Sequence, residues 1–293
     1  MKKMLFIINS VSGKLALEDT LMKVVDTFSK ADYDITIHLT RGNGDIEKVL
    51  AERGDEFDLI VCCGGDGTLN LVASTVFNEG LGARIGYIPG GTTNDFAASH
   101  NIDTVTTSAA VQIAEGIDRD MDLGILNDKP FIYVAAFGLF SDVSYQTGRE
   151  LKQSLGHAAY VLEGIKSFAK AKAYELRVEY DGEIIDGSFI YGMISNSRRI
   201  GGFELPLLKN ILYDDGEMEV TLIRKPQNAQ ETQKLLNSFL YQTADDEMVY
   251  MFKTSELKII SVDEVPWSID GEYGGTTTEA NIKVMPAAIR MIF

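Results

Sequence analysis

A chain of 293 residues, 45% of them hydrophobic, has room for two domains or one large one and the composition of an ordinary globular protein. Its formal charge of −16 excludes a nucleic-acid binder and disfavours broad adhesion to anionic lipid, leaving only a local basic patch, at Arg198-Arg199, to consider. The longest apolar runs, such as Tyr133 to Phe140 and Leu59 to Cys63, are too short to span a bilayer.

The first residues, Met1-Lys2-Lys3-Met4-Leu5-Phe6-Ile7-Ile8-Asn9, superficially suggest a secretory leader. The apolar run is too short for one and no small-residue cleavage site follows, so it reads as the first strand of a cytoplasmic protein. Cys62 and Cys63 are adjacent; neighbouring cysteines bridge only with strain, which leaves two small core residues. His38, His100 and His157 are scattered and make no metal pattern.

Lys3 to Asn9 predicts a strand. Leu17, Leu21, Val24 and Phe28 then recur at spacings of four, three and four, one face of a helix. Asp34 to Leu39 alternates as a strand, and Asp45 to Arg53 forms a helix with Ile46, Val49 and Leu50 inward. Asp58 to Cys63 is continuously apolar, as in a parallel sheet covered on both faces. A helix from Leu69, a strand over Arg84 to Ile88 and helices from Asn94 and Thr107 follow. This alternation predicts βαβ units in a doubly wound parallel α/β domain over residues 1–125.

From about Asp120 strand signals dominate: Met121 to Leu126, Phe131 to Phe140, Tyr174 to Tyr180, Ile184 to Ser195, Met218 to Ile223, Leu257 to Val262, Val265 to Ile269 and Asn281 to Val284. Two helical stripes interrupt them. One carries Leu151, Leu155, Ala158, Leu162, Ile165 and Ala169, the other Leu235, Leu236, Phe239 and Leu240; both read as core faces. A β-rich second domain, a sandwich over residues 126–293, is expected.

The most informative string runs from the buried strand into Gly64-Gly65-Asp66-Gly67-Thr68-Leu69-Asn70. Glycines let backbone N–H groups approach a ligand closely, and a helix N-terminus adds an electropositive concavity suited to phosphate. Thr68 adds a hydroxyl donor. A bare carboxylate beside phosphate is repelled, so Asp66 makes sense acting through Mg²⁺ or its bound water. The string lacks both the Gly-Lys-Ser/Thr ending of a P-loop and the Gly-x-Gly-x-x-Gly of a dinucleotide fold. Two more strands end in similar turns, at Pro89-Gly90-Gly91-Thr92-Thr93-Asn94-Asp95 and at Asn9-Ser10-Val11-Ser12-Gly13-Lys14. Capping by Thr93 or Asn94 accounts for the former on its own, but the three turns together fit one crevice at the carboxyl ends of the strands.

The Gly-Gly-Asp-Gly-Thr turn followed by Leu69-Asn70, combined with Gly91-Thr92-x-Asn94-Asp95-Phe96-Ala97, resembles the bacterial diacylglycerol-kinase-type lipid kinases, relatives of the sphingosine and ceramide kinases, over nearly the whole chain. The resemblance implies ATP held by Asn9, Ser10, Val11, Ser12 and Gly13, by Thr40, by Gly64, Gly65, Asp66, Gly67, Thr68, Leu69 and Asn70, and by Thr92. It implies Asp66, Asp95 and Asp122 as acids organising Mg²⁺ and water; Asp122 also reads as a strand-end cap. Asp270-Gly271-Glu272 matches the family's base motif, with Glu272 or Asp270 accepting the proton of the lipid hydroxyl. Asp-Gly is equally a hairpin signal. Leu212-Tyr213-Asp214-Asp215-Gly216-Glu217 resembles the family's structural Mg²⁺ loop, with Asp215 and the main-chain oxygens of Leu212 and Glu217 as ligands. The family's first turn carries Pro after Asn, where this chain has Ser10.

NAD kinases share the glycine turn but also carry a Thr-Gly-Ser-Thr-Ala-Tyr-like string that this chain lacks. Phosphofructokinases carry a downstream Thr-x-Asp base that it also lacks. A nucleotide-binding regulator without catalysis is the remaining alternative, opposed by the intact acids. The resemblance implies a lipid alcohol as acceptor, most simply diacylglycerol giving phosphatidate, met by transient peripheral contact with the inner membrane face. A homodimer is the default oligomer.

Overall fold

The computed structural model describes residues 1–9, 20–138, 171–200, 203–204, 211–241 and 247–293. The expected turn residues Ser10 to Gly13 and the stripe from Leu151 to Ala169 lie outside them.

The first four strands are β1 (Lys2–Ile8), β2 (Tyr33–Leu39), β3 (Leu59–Gly64) and β4 (Arg84–Pro89). They pair in parallel in the order β4-β3-β1-β2. Five helices accompany them: α1 (Leu21–Lys30), α2 (Asp45–Arg53), α3 (Asp66–Asn78), α4 (Asp95–His100) and α5 (Thr106–Glu115). The step from β1 to β2 runs opposite to the steps from β2 to β3 and β3 to β4. Right-handed crossovers therefore put α1 on one face and α2 with α3 on the other. The packing agrees, α1 lying against α5 and α2 against α3. With both faces covered, Met4 to Ile8 and Leu59 to Cys63 are all buried. Val24 and Phe28 of α1, and Ile46, Val49 and Leu50 of α2, face inward as their spacing requires.

The helix expected from Leu69 begins three residues earlier, at Asp66. Gly65 is the last extended residue (φ −86°, ψ −178°), and its carbonyl accepts from the N–H groups of Thr68 and Leu69 at 3.0 and 3.2 Å. Half of the glycine string is thus a helix's first turn.

The second half contributes β5 (Asp118–Leu126), β6 (Lys129–Phe131), β7 (Val134–Gly138), β8 (Tyr174–Tyr180), β9 (Glu183–Ser195), a short β10 (Arg199–Ile200) and β11 (Phe203–Glu204) hairpin, β12 (Met218–Arg224), α6 (Ala229–Tyr241), β13 (Val249–Thr254), β14 (Glu256–Ile269) and β15 (Glu272–Ile292). Strands β9 and β14 each pair with both β7 and β8, so these four close on themselves around Phe137, Tyr174, Val178, Phe189 and Trp267. That closure makes the β-rich second unit.

Three strand expectations change. The run from Phe131 breaks at Ile132-Tyr133 into β6 and β7, because the N–H groups of Ile132, Tyr133 and Val134 turn onto the carboxylate of Asp270. Leu257 to Val262 and Val265 to Ile269 are one strand, β14, with a register shift between Ile260 and Val265. The last strand starts at Glu272 rather than Asn281 and runs 21 residues. It pairs with β14 and β5, then enters the parallel sheet where Met291 meets Ile85 of β4. The end of the chain thereby ties the β-rich unit to the edge that carries the second glycine turn.

Candidate active site

The carboxyl ends of β1 to β4 place Asn9, Thr40, Gly64-Gly65 and Gly90-Gly91 side by side. Asn9 donates its main-chain N–H to Cys63 O at 2.9 Å and its side-chain amide to Thr68 Oγ1 at 2.9 Å. Thr40 N–H reaches Ile8 O at 3.0 Å, and Gly90 N–H reaches Gly64 O at 2.6 Å. The two glycine turns touch backbone to backbone. A Cβ on Gly91 would lie 2.6 Å from the Cα of Gly65, and a Cβ on Gly64 would lie 2.5 Å from Thr68 Oγ1. No residue but glycine fits between them.

This packing redistributes the roles expected along the string. The N–H groups of Thr68 and Leu69 are spent inside α3, their side chains are buried, and Asn9 occupies the Thr68 hydroxyl as acceptor. The first-turn N–H groups of Asp66 and Gly67 have no protein partner among the described residues, so they are the amides free for a phosphate. Asn70 faces away from that end; its amide donates to Asp270 Oδ2 and its Oδ1 accepts from Ser74 at 3.4 Å. Thr92 is exposed in a cleft of about 370 Å³ lined by residues 89–94, Thr104 and Thr106.

Asp66 joins the two motifs. Its carboxylate accepts the N–H of Asp95 at 3.1 Å and of Phe96 at 3.3 Å, the first turn of α4. The capping expected of Thr93 or Asn94 therefore falls to Asp66. Asn94, at φ +51°, instead braces the turn: its Oδ1 accepts Gly91 N–H at 2.9 Å and its amide donates to Gly91 O at 3.1 Å. Burial raises the Asp66 carboxyl to about 6, with Asp95 and Asp270 adding to the shift and the two N–H donors opposing it. Two accepted hydrogen bonds leave this carboxylate capacity for water or a cation.

The other acids part company. Asp95 is buried and stands 4.0 Å from Arg199 Nε. Asp122 accepts Gly216 N–H on Oδ2 at 2.7 Å and Ala287 N–H on Oδ1 at 2.8 Å. It secures the 212–217 loop and the register shift of β15 between Met285 and Ile289, the structural side of its expected double reading.

Asp270 and Glu272 separate most sharply. Asp270 and Gly271, at φ +47° and +87°, form the two-residue turn between β14 and β15. The Asp270 side chain is buried and accepts from Ile132, Tyr133 and Val134 N–H at 2.7, 3.0 and 2.8 Å and from the Asn70 amide. Four donors fill its four lone-pair sites. Burial raises its carboxyl even against them. Glu272 is exposed, and its Oε1 lies 3.8 Å from the point where a side chain on Gly67 would begin. One motif thus supplies a brace into α3 and an exposed carboxylate over the glycine turn, without a protein partner among the described residues.

For divalent metal, no three His, Cys, Asp or Glu side chains converge among the described residues. Asp66 and Asp95 fit a Mg²⁺ ion completed by phosphate oxygens and water, the usual manner of binding for this ion. The 212–217 loop does not fit one as built. Asp215 is paired with Lys253 at 2.8 Å and with Glu217 N–H at 3.2 Å.

Some residues of the crevice carry no motif. Tyr87 donates its buried hydroxyl to Gly64 O (3.2 Å) or Asn94 Oδ1 (3.3 Å); a tyrosine two residues before Pro89 in a buried strand was the available signal. Ser99 and Ser197 share a hydrogen bond at 2.8 Å, and Arg198 donates to Ser99 O at 2.8 Å. Arg198 is accordingly turned onto α4, and Arg199 stands beside Asp95 at the start of the same helix.

Comparison with known proteins matches these features. The family described as "Diacylglycerol kinase catalytic domain" covers residues 3–126, and "YegS C-terminal NAD kinase beta sandwich-like domain" covers residues 135–293. A diacylglycerol kinase of Bacillus subtilis is 30% identical over 277 residues, 94% of this chain and 91% of its own. One of Staphylococcus carnosus is 30% identical over 276 residues, 94% and 90%. A crystal structure of a diacylglycerol kinase from Bacillus anthracis superposes with a TM-score of 0.82 at 26% identity, covering 100% of this chain and 97% of its own. A doubly wound sheet ending in paired glycine turns, a closed β-rich unit bringing an Asp-Gly-Glu hairpin to them, and relatives matched almost end to end agree: the chain belongs to the diacylglycerol kinase family of enzymes.

Proposed function

We propose that the protein transfers the γ-phosphoryl group of ATP to the hydroxyl of a membrane lipid, with diacylglycerol the acceptor and phosphatidate the product. The observation carrying this reading is the position of Glu272: an exposed carboxylate from the second unit, over the unpartnered first-turn amides of α3 in the first. Those amides suit a phosphate group, and the carboxylate suits the proton of an attacking alcohol. The names of the relatives support the lipid acceptor.

In this reading the phosphates of ATP rest on the amides of Asp66 and Gly67, with Asn9, Thr40 and Thr92 around the nucleotide. Mg²⁺, when bound, neutralises charge on the phosphates, and Asp66 and Asp95 are the side chains to hold it with its water. Asp270, fully hydrogen-bonded, fixes the hairpin that aims Glu272. The lipid oxygen bonds to the γ-phosphorus as the bond to the β,γ-bridging oxygen breaks, ADP departs, and the hydroxyl proton passes to Glu272. Orientation by two rigid elements and charge stabilisation by fixed dipoles supply the acceleration. Among the described residues no helix is long and apolar enough to cross a membrane; in this reading the lipid is met by transient peripheral contact.

The test is transfer of label from γ-labelled Mg·ATP to diacylglycerol, monoacylglycerol, undecaprenol, sphingosine and ceramide in mixed micelles, with NAD alongside. Labelling of diacylglycerol that disappears with Asp66→Ala is expected. Labelling of NAD alone refutes the lipid acceptor, and no transfer to any acceptor favours a non-catalytic nucleotide sensor.

A further inference from the structure

The loop over residues 212–217, where the family resemblance places Mg²⁺, already holds a cation of another kind. Lys253 Nζ lies 2.8 Å from Asp215 Oδ2 and 3.1 Å from Glu219 Oε1. Glu219 and Lys253 are direct partners in the antiparallel pairing of β12 with β13, so strand register sets the place of the lysine. Glu219 is 6% exposed, and a carboxylate that deep requires a cationic neighbour. We infer that the Lys253 ammonium is the resident cation of this loop and does there what a divalent ion would otherwise do, so that the loop's structure is independent of Mg²⁺.

Three observations support the assignment. Both oxygens of Asp215 are engaged, one by the ammonium and one by Glu217 N–H, and the ammonium already neutralises the charge that would draw a divalent ion. Lys253 is pinned by Glu219 behind it, so a divalent ion on Asp215 would sit beside a positive charge that cannot readily leave. The rest of the loop is tied by protein groups. Asp122 takes Gly216 N–H at 2.7 Å, Asp122 N–H reaches Tyr213 O at 2.9 Å, and Tyr213 hydroxyl reaches Ser99 O at 3.2 Å. Through that last bond the loop braces the far end of α4, whose first turn Asp66 caps. Lys253 is in this sense a positioning residue for the crevice. The inference concerns how the loop is held and does not depend on which acceptor the enzyme uses.

The experiment is thermal melting of the full chain without nucleotide, in EDTA and in millimolar Mg²⁺. The wild-type chain is expected to melt at the same temperature in both. Lys253→Met is expected to melt about 3 °C or more lower in EDTA, an order set by a loss near one kcal/mol in a chain of this size, and to regain part of that in Mg²⁺. The gain should vanish in a Lys253→Met, Asp215→Asn double variant, and Lys253→Arg should behave as wild type. A wild-type melting temperature that EDTA lowers, with the drop abolished by Asp215→Asn, would overturn the inference, and needs no Lys253 variant. A Lys253→Met chain that melts like wild type would overturn it too.

Discussion

Two Asp-Gly pairs meet at this crevice, and their aspartates have opposite reserves. Asp66-Gly67 heads a helix in the parallel unit; Asp270-Gly271 turns a hairpin in the β-rich unit. Each aspartate is mostly or fully buried and each accepts main-chain N–H groups from a different segment, so each staples remote parts of the chain together. Asp66 accepts two hydrogen bonds and keeps room for a ligand. Asp270 accepts four and keeps none. The same dipeptide thus keeps open acceptor sites in one unit and is a filled structural brace in the other, decided by donor count.

The comparison breaks first at Asp270. Asp270→Ala strands three buried N–H groups, each costing about 1–3 kcal/mol, so denaturant unfolding should show a loss above about 3 kcal/mol. A smaller loss would mean that water replaces the carboxylate and that the brace is dispensable. Asp66 should reveal itself through pH. Its folded-state value of about 6 exceeds the ordinary 3.8, so between these values the folded chain retains a proton the unfolded chain has released. Stability contributed by Asp66 is then present below about pH 4 and lost as pH rises through 6, up to about 3 kcal/mol across the window. Melting curves of wild type against Asp66→Asn isolate this slope, and equal slopes would contradict it. Gly91→Ala forces a Cβ to within 2.6 Å of Gly65 Cα and should cost about 1–3 kcal/mol while weakening nucleotide binding, as read by calorimetry.

Much of the parallel unit is legible in sequence because burial there is periodic or continuous. Ile46, Val49 and Leu50 announce a helix face, and the apolar run from Leu59 to Cys63 announces a two-sided strand. The glycine turns and the Asp-Gly-Glu hairpin are legible as motifs. The start of α3 is not, since Asp66 and Gly67 are poor helix formers, and Asp66 is fixed there by the α4 amides its carboxylate accepts. The length of β15 is hidden because its first third, from Glu272 to Thr278, is largely exposed and polar and is fixed by pairing with β14. The break at Ile132-Tyr133 is hidden for a similar reason: its cause, Asp270, lies 138 residues away in the chain. Lys253 lacks any local signal, its role being set by strand register, and Tyr87 offers only its place in a buried strand, its partners being set by the backbone opposite.

The most direct test compares Glu272→Gln with wild type in single-turnover transfer from labelled Mg·ATP to the lipid acceptor, with melting temperature and ATP affinity measured on the same samples. With Glu272 as the proposed general base, its loss should lower the transfer rate by about 10²–10⁴ while stability and ATP affinity hold, because Glu272 is exposed and braces nothing among the described residues. A Glu272→Gln enzyme that turns over at the wild-type rate would contradict the division of labour between the two carboxylates of this hairpin.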